Sequence, residues 1–279
     1  MNLPADFDFT QGNLQDYVDC AYRFYLRYIL HARWPALLVD DALDFEQRSQ
    51  IGGRFHRLIQ QYLLGVPENR ISALAEVDPS LELSLWWHHF LVHVRPWLDG
   101  QLFVETTLST TLSGHRLVAK YDLILYDEQG TLIIFDWKTS QKRIKREWLL
   151  KRIQTRLYRF ILTDSNAILI PNQTTPADGV TMHYWFAPHP ESPVMLPYKQ
   201  TDYEADKTYF ISLLEEIQQK PESSFRRTDD LKKCHFCVYR SLCDRGIKAG
   251  DLESFEDFEP LSEEIEPEVE FENIAEIEF

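Results

Sequence analysis

The sequence lacks any long apolar run. Nowhere in its 279 residues does a stretch approach the roughly 18–20 apolar residues that a membrane-spanning helix requires. The first eight residues, Met-Asn-Leu-Pro-Ala-Asp-Phe-Asp, are acidic and contain no apolar core, unlike a secretory signal. We therefore expect a protein without a membrane segment, located in the cytoplasm.

Two further patterns are missing from the sequence. No segment of roughly 20–50 residues is repeated, which excludes repeat architectures. The chain also has no G-x-x-x-x-G-K-[ST] motif, the loop that holds nucleotide phosphates in P-loop motors. Any motor that works with this chain must therefore belong to a partner.

Basic residues are absent from the last segment. Residues 251–279 contain 13 Asp or Glu and no Lys or Arg, whereas the whole chain has 44 acidic and 29 basic residues. The remainder is nearly neutral, so the net charge of −15 does not exclude a nucleic-acid partner. We predict one domain over residues 1–250 and a disordered acidic tail over 251–279, because the tail cannot bury enough apolar surface to offset its ordering entropy.

Hydrophobic spacing predicts an α/β fold. Helical spacing covers 12–30, 50–64, 80–98, 145–163 and 202–219, and strand-like alternation or apolar runs cover 102–112, 115–126, 131–137, 167–170 and 181–187. Helices and strands do not alternate regularly along the chain. We therefore predict a central mixed sheet flanked by helices and not a doubly wound sheet.

The chain has only four cysteines, and three of them lie within ten residues. Cys234, Cys237 and Cys243 form a C-x2-C-x5-C pattern, and Cys20 lies far upstream. Four thiolates are the ligand set of either a structural zinc or an iron–sulfur cluster, whereas a disulfide framework is not expected here. Either metal group would staple the two ends of the fold together.

Two apolar strands flank the turn at 127–130, which predicts a β-hairpin. A three-residue loop that ends in a left-handed glycine is a favoured connection between such strands. In the register that this loop sets, Asp122 faces Asp136 and Lys120 faces Lys138 across the ladder. Because a one-residue shift would move Asp122 to the other face, the loop length decides whether the two carboxylates meet.

The end of this hairpin is the strongest candidate for a catalytic site. Asp136 and Lys138 share one face of their strand, while Trp137 points to the other. Two carboxylates in an apolar sheet repel each other unless a cation neutralises them, and oxygen ligands suit Mg²⁺ or Mn²⁺. Lys138 beside such an ion can orient water and stabilise charge on a phosphate.

Six motifs, taken in order, resemble the PD-(D/E)XK nuclease superfamily. The likeness is narrower to its RecB-like branch with an iron–sulfur cluster, which includes AddB-type nuclease domains and CRISPR-associated iron–sulfur exonucleases. It runs from about residue 14 to 246. The matching residues are Cys20, the G-x-x-x-H from Gly52 to His56, Asp122, the D-x-K from Asp136 to Lys138, the Q-x-x-x-Y from Gln154 to Tyr158, and the three C-terminal cysteines.

The resemblance implies a restriction-endonuclease-like core whose ends are joined by a metal cluster. A [4Fe-4S] cluster, with zinc as the alternative, would be bound by Cys20, Cys234, Cys237 and Cys243. The Mg²⁺ or Mn²⁺ ion would be held by His56, Asp122, Asp136 and the Trp137 carbonyl. Lys138 would activate the attacking water, and Gln154 and Tyr158 would set the active site and touch the nucleic acid.

The function implied by this resemblance is hydrolysis of DNA phosphodiester bonds. We expect an exonuclease on single-stranded ends, acting in DNA repair, recombination or CRISPR adaptation with a helicase or CRISPR-adaptation partner. Two alternatives stay open: a catalytically idle DNA-binding module, and a zinc-bearing interaction module of a repair complex.

A basic segment lies next to these motifs. Residues 138–159 contain nine Lys or Arg and one acidic residue, Glu147. Such a stripe beside a metal site predicts contact with a phosphate backbone. Trp148 lies within the segment and could stack on a base, but we expect it to pack in the core.

Overall fold

The computed structural model describes residues 3–4, 6–33, 42–235 and 237–246. The acidic tail predicted at 251–279 lies outside the described residues. No helix in the described ranges is both long enough and apolar enough to cross a membrane.

Within these ranges, six strands form one mixed sheet. The strands are β1 (Asp8–Phe9), β2 (Gln101–Leu112), β3 (His115–Tyr126), β4 (Leu132–Lys138), β5 (Val180–Phe186) and β6 (Val194–Pro197). β2 pairs with β3 along one edge of β3; β1 and β4 pair with the start and the end of its other edge. β5 lies parallel to β4, and β6 lies antiparallel to β5.

Helices cover both faces of the sheet. They are α1 (Gln11–Asp19), α2 (Ala21–Phe24), α3 (Ala42–Leu63), α4 (Glu68–Val77), α5 (Leu81–His93), α6 (Arg146–Leu149), α7 (Ile153–Ser165) and α8 (Gln200–Gln219). One core packs α1, α2, α7 and α8 against the sheet, and a second core packs α3, α4 and α5 against its other face. The predicted mixed sheet flanked by helices is confirmed.

The central hairpin forms in the predicted register, but its ladder ends early. Asp127 N donates to Thr131 O (3.0 Å), and four pairs follow, the last being Leu123 with Phe135. The expected pairs Asp122–Asp136 and Lys120–Lys138 do not form, because β3 leaves β4 after Leu123. Lys120 instead pairs with β2, where its Nζ lies 3.1 Å from Glu105 Oε2.

Other sequence predictions were wrong in detail. The helix predicted at 12–30 breaks at Cys20, whose extended backbone (φ −161°, ψ 102°) separates α1 from α2. The helix predicted at 145–163 breaks into α6 and α7, because the backbone at Arg152 is extended. The strand predicted at 167–170 is absent, since a 3₁₀ turn occupies Asn166–Ile168. The spacing also missed α4 and β6.

Candidate functional site

The site lies where β3 and β4 diverge. Asp122 has no ladder partner on β2 or on β4, and Glu105, the residue opposite it on β2, has a left-handed backbone (φ 48°). Tyr121 and Leu123 pack in opposite cores, although residues two apart share a face in a regular strand. The strand therefore twists sharply at Asp122. The freed carboxylate replaces the lost ladder bond, because its Oδ2 accepts from Trp137 N at 3.0 Å.

Asp136, Lys138 and Gln154 form a closed triangle of polar contacts. Lys138 Nζ lies 2.6 Å from Asp136 Oδ2 and donates to Gln154 Oε1 at 3.2 Å. Gln154 Nε2 donates to Asp136 Oδ1 at 2.7 Å. The side chain of Trp137 packs in the opposite core, as the strand alternation predicts. The first turn of α7 thus fixes both charged side chains at the end of β4.

His56 reaches this group from α3. Its Nδ1 lies 3.4 Å from Asp122 Oδ1, and the two side chains are 31% and 23% exposed. One turn earlier, a Cβ on Gly52 would lie only 2.9 Å from Thr139 Oγ1. Glycine therefore lets α3 approach the end of β4, which brings His56 to Asp122. We call His56, Asp122, Asp136, Lys138 and Gln154 the carboxylate site.

The two carboxyl groups of this site differ in pKa. Burial raises the pKa of Asp136, and the charge of Asp122 adds to this effect, whereas Lys138 opposes it. Burial also acts to raise the pKa of Asp122, but His56, the Trp137 amide and Lys138 together lower it. The neighbours of Asp122 therefore favour its charged form, whereas burial disfavours the charged form of Asp136.

The two basic groups are shifted in opposite directions. Burial lowers the pKa of Lys138, and Asp136 offsets only part of this effect. Burial acts to lower the pKa of His56 as well, but the charges of Asp122 and Asp136 outweigh it and the pKa is raised. Neighbouring charges thus outweigh burial at His56 and Asp122, whereas burial outweighs them at Asp136 and Lys138.

Tyr184 belongs to this site, and the sequence analysis missed it. In the parallel register, Tyr184 on β5 lies beside Asp136 on β4. Its hydroxyl is 2.8 Å from Thr155 Oγ1 and 3.3 Å from Gln154 Oε1, and its ring lies 5.4 Å from Lys138 Nζ. The strand was predicted at 181–187, but no local pattern gives the register of two parallel strands so far apart in sequence.

Tyr158, predicted to touch the nucleic acid, lies in the core. It is 7% exposed, its ring packs 4.9 Å from that of Tyr121, and its carbonyl accepts from the Tyr121 hydroxyl at 2.8 Å. Gln154 is also buried, at 6% exposed. In this arrangement both residues support the site from within the protein.

The four cysteines meet at one corner of the fold, which we call the cysteine corner. They line one narrow cleft together with basic side chains that include Arg23, Arg227, Lys233, Arg240 and Arg245. All four are free thiols, and Arg245 Nη1 lies 3.1 Å from Cys234 Sγ. The fold therefore brings the distant Cys20 to the three C-terminal cysteines.

Neither place is a ready-made metal site. In the described part of the chain, no three His, Cys, Asp or Glu side chains form a group that could hold a metal ion. The carboxylate site nevertheless has the right donors, because two carboxylates and an imidazole suit Mg²⁺ or Mn²⁺. The buried Asp136 carboxylate, whose pKa is raised, is a group that a divalent cation would stabilise.

Comparison with known proteins identifies the family. A model of the PD-(D/E)XK nuclease superfamily matches residues 8–244, so the chain belongs to this superfamily, and its membership indicates a nuclease. No curated protein matches the chain significantly.

Two solved structures are similar to the chain. One is a "Putative exonuclease" from Eubacterium rectale, with 9% identity, a TM-score of 0.46, and coverage of 77% of this chain and 81% of that one. The other is SSO0001, with 13% identity, a TM-score of 0.38, and coverage of 85% of each chain. Both TM-scores are below 0.5, so neither likeness carries an argument about the site.

Proposed function

We propose that this protein is a Mg²⁺- or Mn²⁺-dependent deoxyribonuclease that hydrolyses DNA phosphodiester bonds. The observation that carries the proposal is the triangle of Asp136, Lys138 and Gln154, which stands beside the Asp122–His56 pair at the end of β4. The triangle and the Asp122–His56 pair together bring two carboxylates, an imidazole and an amine into one cluster of side chains.

The residues have separate roles in this proposal. The divalent ion would be held by His56, Asp122, Asp136 and the Trp137 carbonyl. Once bound, such an ion supplies positive charge that polarises a phosphate and lowers the pKa of bound water. Lys138 donates hydrogen bonds that position the attacking water and stabilise charge on the phosphate oxygens. Gln154 keeps Lys138 and Asp136 in place, with Tyr184 packed behind it.

We further propose an exonuclease on single-stranded ends. The support is the motif resemblance to the RecB-like branch, which also favours DNA repair, recombination or CRISPR adaptation as the setting and a helicase or CRISPR-adaptation protein as the partner. A circular single strand compared with its linear form tests this directly, because an exonuclease degrades only the linear form.

For the cysteine corner we propose a [4Fe-4S] cluster. The four thiols line one cleft, and the surrounding Arg and Lys side chains would offset the negative charge of a thiolate-bound cluster. Zinc on the same thiols is the competing assignment. Metal analysis and the visible spectrum of anaerobically purified protein decide between them, since a zinc-loaded protein is colourless.

The central experiment is an oligonucleotide digestion with Mn²⁺, Mg²⁺ or EDTA. Asp136→Ala and Lys138→Ala should each abolish cleavage, because each removes one residue of the triangle and two of its three contacts. Lys120→Ala is the matched control, since Lys120 is an exposed lysine of the same hairpin that pairs with Glu105. Cleavage that survives both Asp136→Ala and Lys138→Ala would exclude this site.

A further inference from the structure

One large aromatic side chain next to the carboxylate site is exposed. Trp148 is 54% exposed, so the expectation that it packs in the core was wrong. The reason is local: Ile144 and Leu149 are both buried and anchor the segment, which turns the residues between them outward. An exposed tryptophan offers a flat apolar face on which another ring can stack.

The basic residues around Trp148 are exposed as well. Arg143, Lys145 and Arg146 point to solvent, and among the described residues none of them forms an ion pair. The basic stripe predicted over 138–159 is therefore shorter than expected. Its far end is internal, because Arg156 Nε is bonded to Asp206 Oδ1 (2.5 Å) and Arg159 is 3% exposed.

These basic side chains line one wall of an open groove. Residues 143–147, which also include Glu147, form that wall, and Pro193, Val194 and Met195 form the other, with about 500 Å³ of space between them. Met195 is 48% exposed, so the second wall is apolar. The groove thus offers positive charge on one side and apolar surface on the other.

The segment that forms the basic wall continues into the carboxylate site. Arg152, at its end, is the N-cap residue of α7. The next two residues begin α7 and include Gln154. A DNA strand that lies along residues 143–152 would therefore run towards Gln154 and the carboxylate site.

We propose that residues 143–152 form a binding surface for single-stranded DNA, in which Trp148 stacks on an unpaired base and Arg143, Lys145 and Arg146 contact phosphates. The proposal deepens the nuclease function and rests on it. Phosphates match the exposed positive charges, and base stacking on an aromatic ring is the usual way in which proteins hold single strands. A duplex hides its base faces, so Trp148 selects the single-stranded form.

Binding of a fluorescein-labelled thymidine oligonucleotide, measured by anisotropy in EDTA, tests the role of Trp148. We expect Trp148→Ala to weaken binding roughly 5- to 100-fold, the range for one stacked base, and Trp148→Phe to retain most of the affinity. Trp97→Ala is the matched control, because Trp97 is also exposed (38%) but lies in the turn after α5. The affinity for a blunt duplex should change little in Trp148→Ala and in Trp97→Ala.

The charged residues are tested by salt dependence. Each of Arg143→Gln and Arg146→Gln should reduce the slope of log affinity against log salt by about 0.7, the value for one phosphate contact on a single strand. Lys120→Gln should leave the slope unchanged. The proposal is overturned if the wild type does not bind the single strand, if Trp148→Ala binds as tightly as wild type, or if Trp97→Ala loses as much affinity.

These measurements separate the binding surface from catalysis. In EDTA no cleavage is required, so a Trp148-dependent affinity in an inactive wild type would leave this inference standing while the proposed function fails. Conversely, if the wild type cleaves DNA but Trp148→Ala binds the oligonucleotide as tightly as wild type, the proposed function stands and this inference fails.

Discussion

The carboxylate site and the cysteine corner are built in opposite ways. In the carboxylate site, side chains on two strands and two helices satisfy one another, and Asp136 is only 7% exposed on its side chain. In the cysteine corner, the four half-buried thiols stand on a helix cap, a short 3₁₀ turn and loops, and Arg245 donates a hydrogen bond to the Cys234 thiol.

This difference separates what the fold supplies from what a ligand must supply. The sheet and α7 position the carboxylate site through the protein's own contacts. The corner joins segments from both ends of the described chain with little regular structure to hold them. We therefore expect substitutions in the carboxylate site to affect activity and also stability, through the protein's own charge balance. Substitutions in the cysteine corner should affect stability through whatever binds the thiols.

The largest effect should come from Lys138→Met. Removing the ammonium leaves the buried Asp136 carboxylate without its partner, which costs about 3–5 kcal/mol for a buried pair broken on one side. We expect a lower melting temperature, loss of cleavage, and a larger stabilisation by added Mg²⁺ than in wild type. Lys120→Met should behave like wild type, and equal stability of the two variants would contradict the buried ion pair.

The next effect tests the corner. Cys237→Ser should lower the free energy of unfolding by about 2–4 kcal/mol, since it would weaken the proposed metal cross-link, which closes a very long loop. Stripping the metal from wild type should lower stability by the same amount, and the two changes should not add. Additive losses in denaturant titrations would mean that Cys237 contributes by packing alone.

The third effect is a pH dependence that belongs to the sheet. Burial lowers the pKa of His183 on β5 to about 4, and its buried Nδ1 has no hydrogen-bond partner among the residues that the structure describes. Between the ordinary value of about 6.5 and 4 the unfolded chain binds a proton that the folded chain does not, so stability falls as pH falls, by up to about 3 kcal/mol. Melting temperatures at pH 7 and 5 measure this.

His183→Phe should remove most of that acid loss, whereas His88→Gln, on an exposed part of α5, should not. An unchanged pH profile in His183→Phe would place the acid sensitivity elsewhere. This pH profile would separate the sheet from the cysteine corner, because acid would destabilise the sheet whereas metal removal would destabilise the corner.

The smallest effect should come from Tyr184→Phe. Losing a hydroxyl that contacts Thr155 and Gln154 should cost about 1 kcal/mol and reduce kcat a few-fold, because Gln154 then holds Lys138 less firmly. Tyr198→Phe is the matched control: it removes a buried hydroxyl bonded to Asp206, so it should lower stability without changing kcat. Equal kcat in both variants would remove Tyr184 from the site.

Local chemistry made much of the hairpin predictable. The turn at 127–130 fixed the register, and β3 was predicted with its observed bounds. The ladder's early end was not predictable, because it depends on the left-handed Glu105 in the neighbouring strand and on the Asp122 carboxylate taking the Trp137 N–H. Those are contacts between elements, which periodicity does not describe.

Errors elsewhere have the same origin. The break before α7 coincides with a bond from Ile153 N to Gln15 Oε1 (3.4 Å), which ties α7 to the distant α1. The apolar run at 167–170 does not form a strand because Asn166 bonds both the N–H and the carbonyl of Thr175, which fixes a turn. The motifs pick out residues that meet at the end of β4 but do not describe their burial, which is why Tyr158 was expected to touch nucleic acid.

The position of Cys20 beside Cys234, Cys237 and Cys243 has a consequence for biosynthesis. At about 5–20 residues per second, a ribosome needs roughly 10–40 s to make the intervening chain. During that interval the Cys20 thiol waits without its three partners, while β2, β3, β4 and α7 have already emerged. The carboxylate site would thus assemble before the cysteine corner closes. Binding of the proposed metal group by the four thiols would then be the last step of maturation.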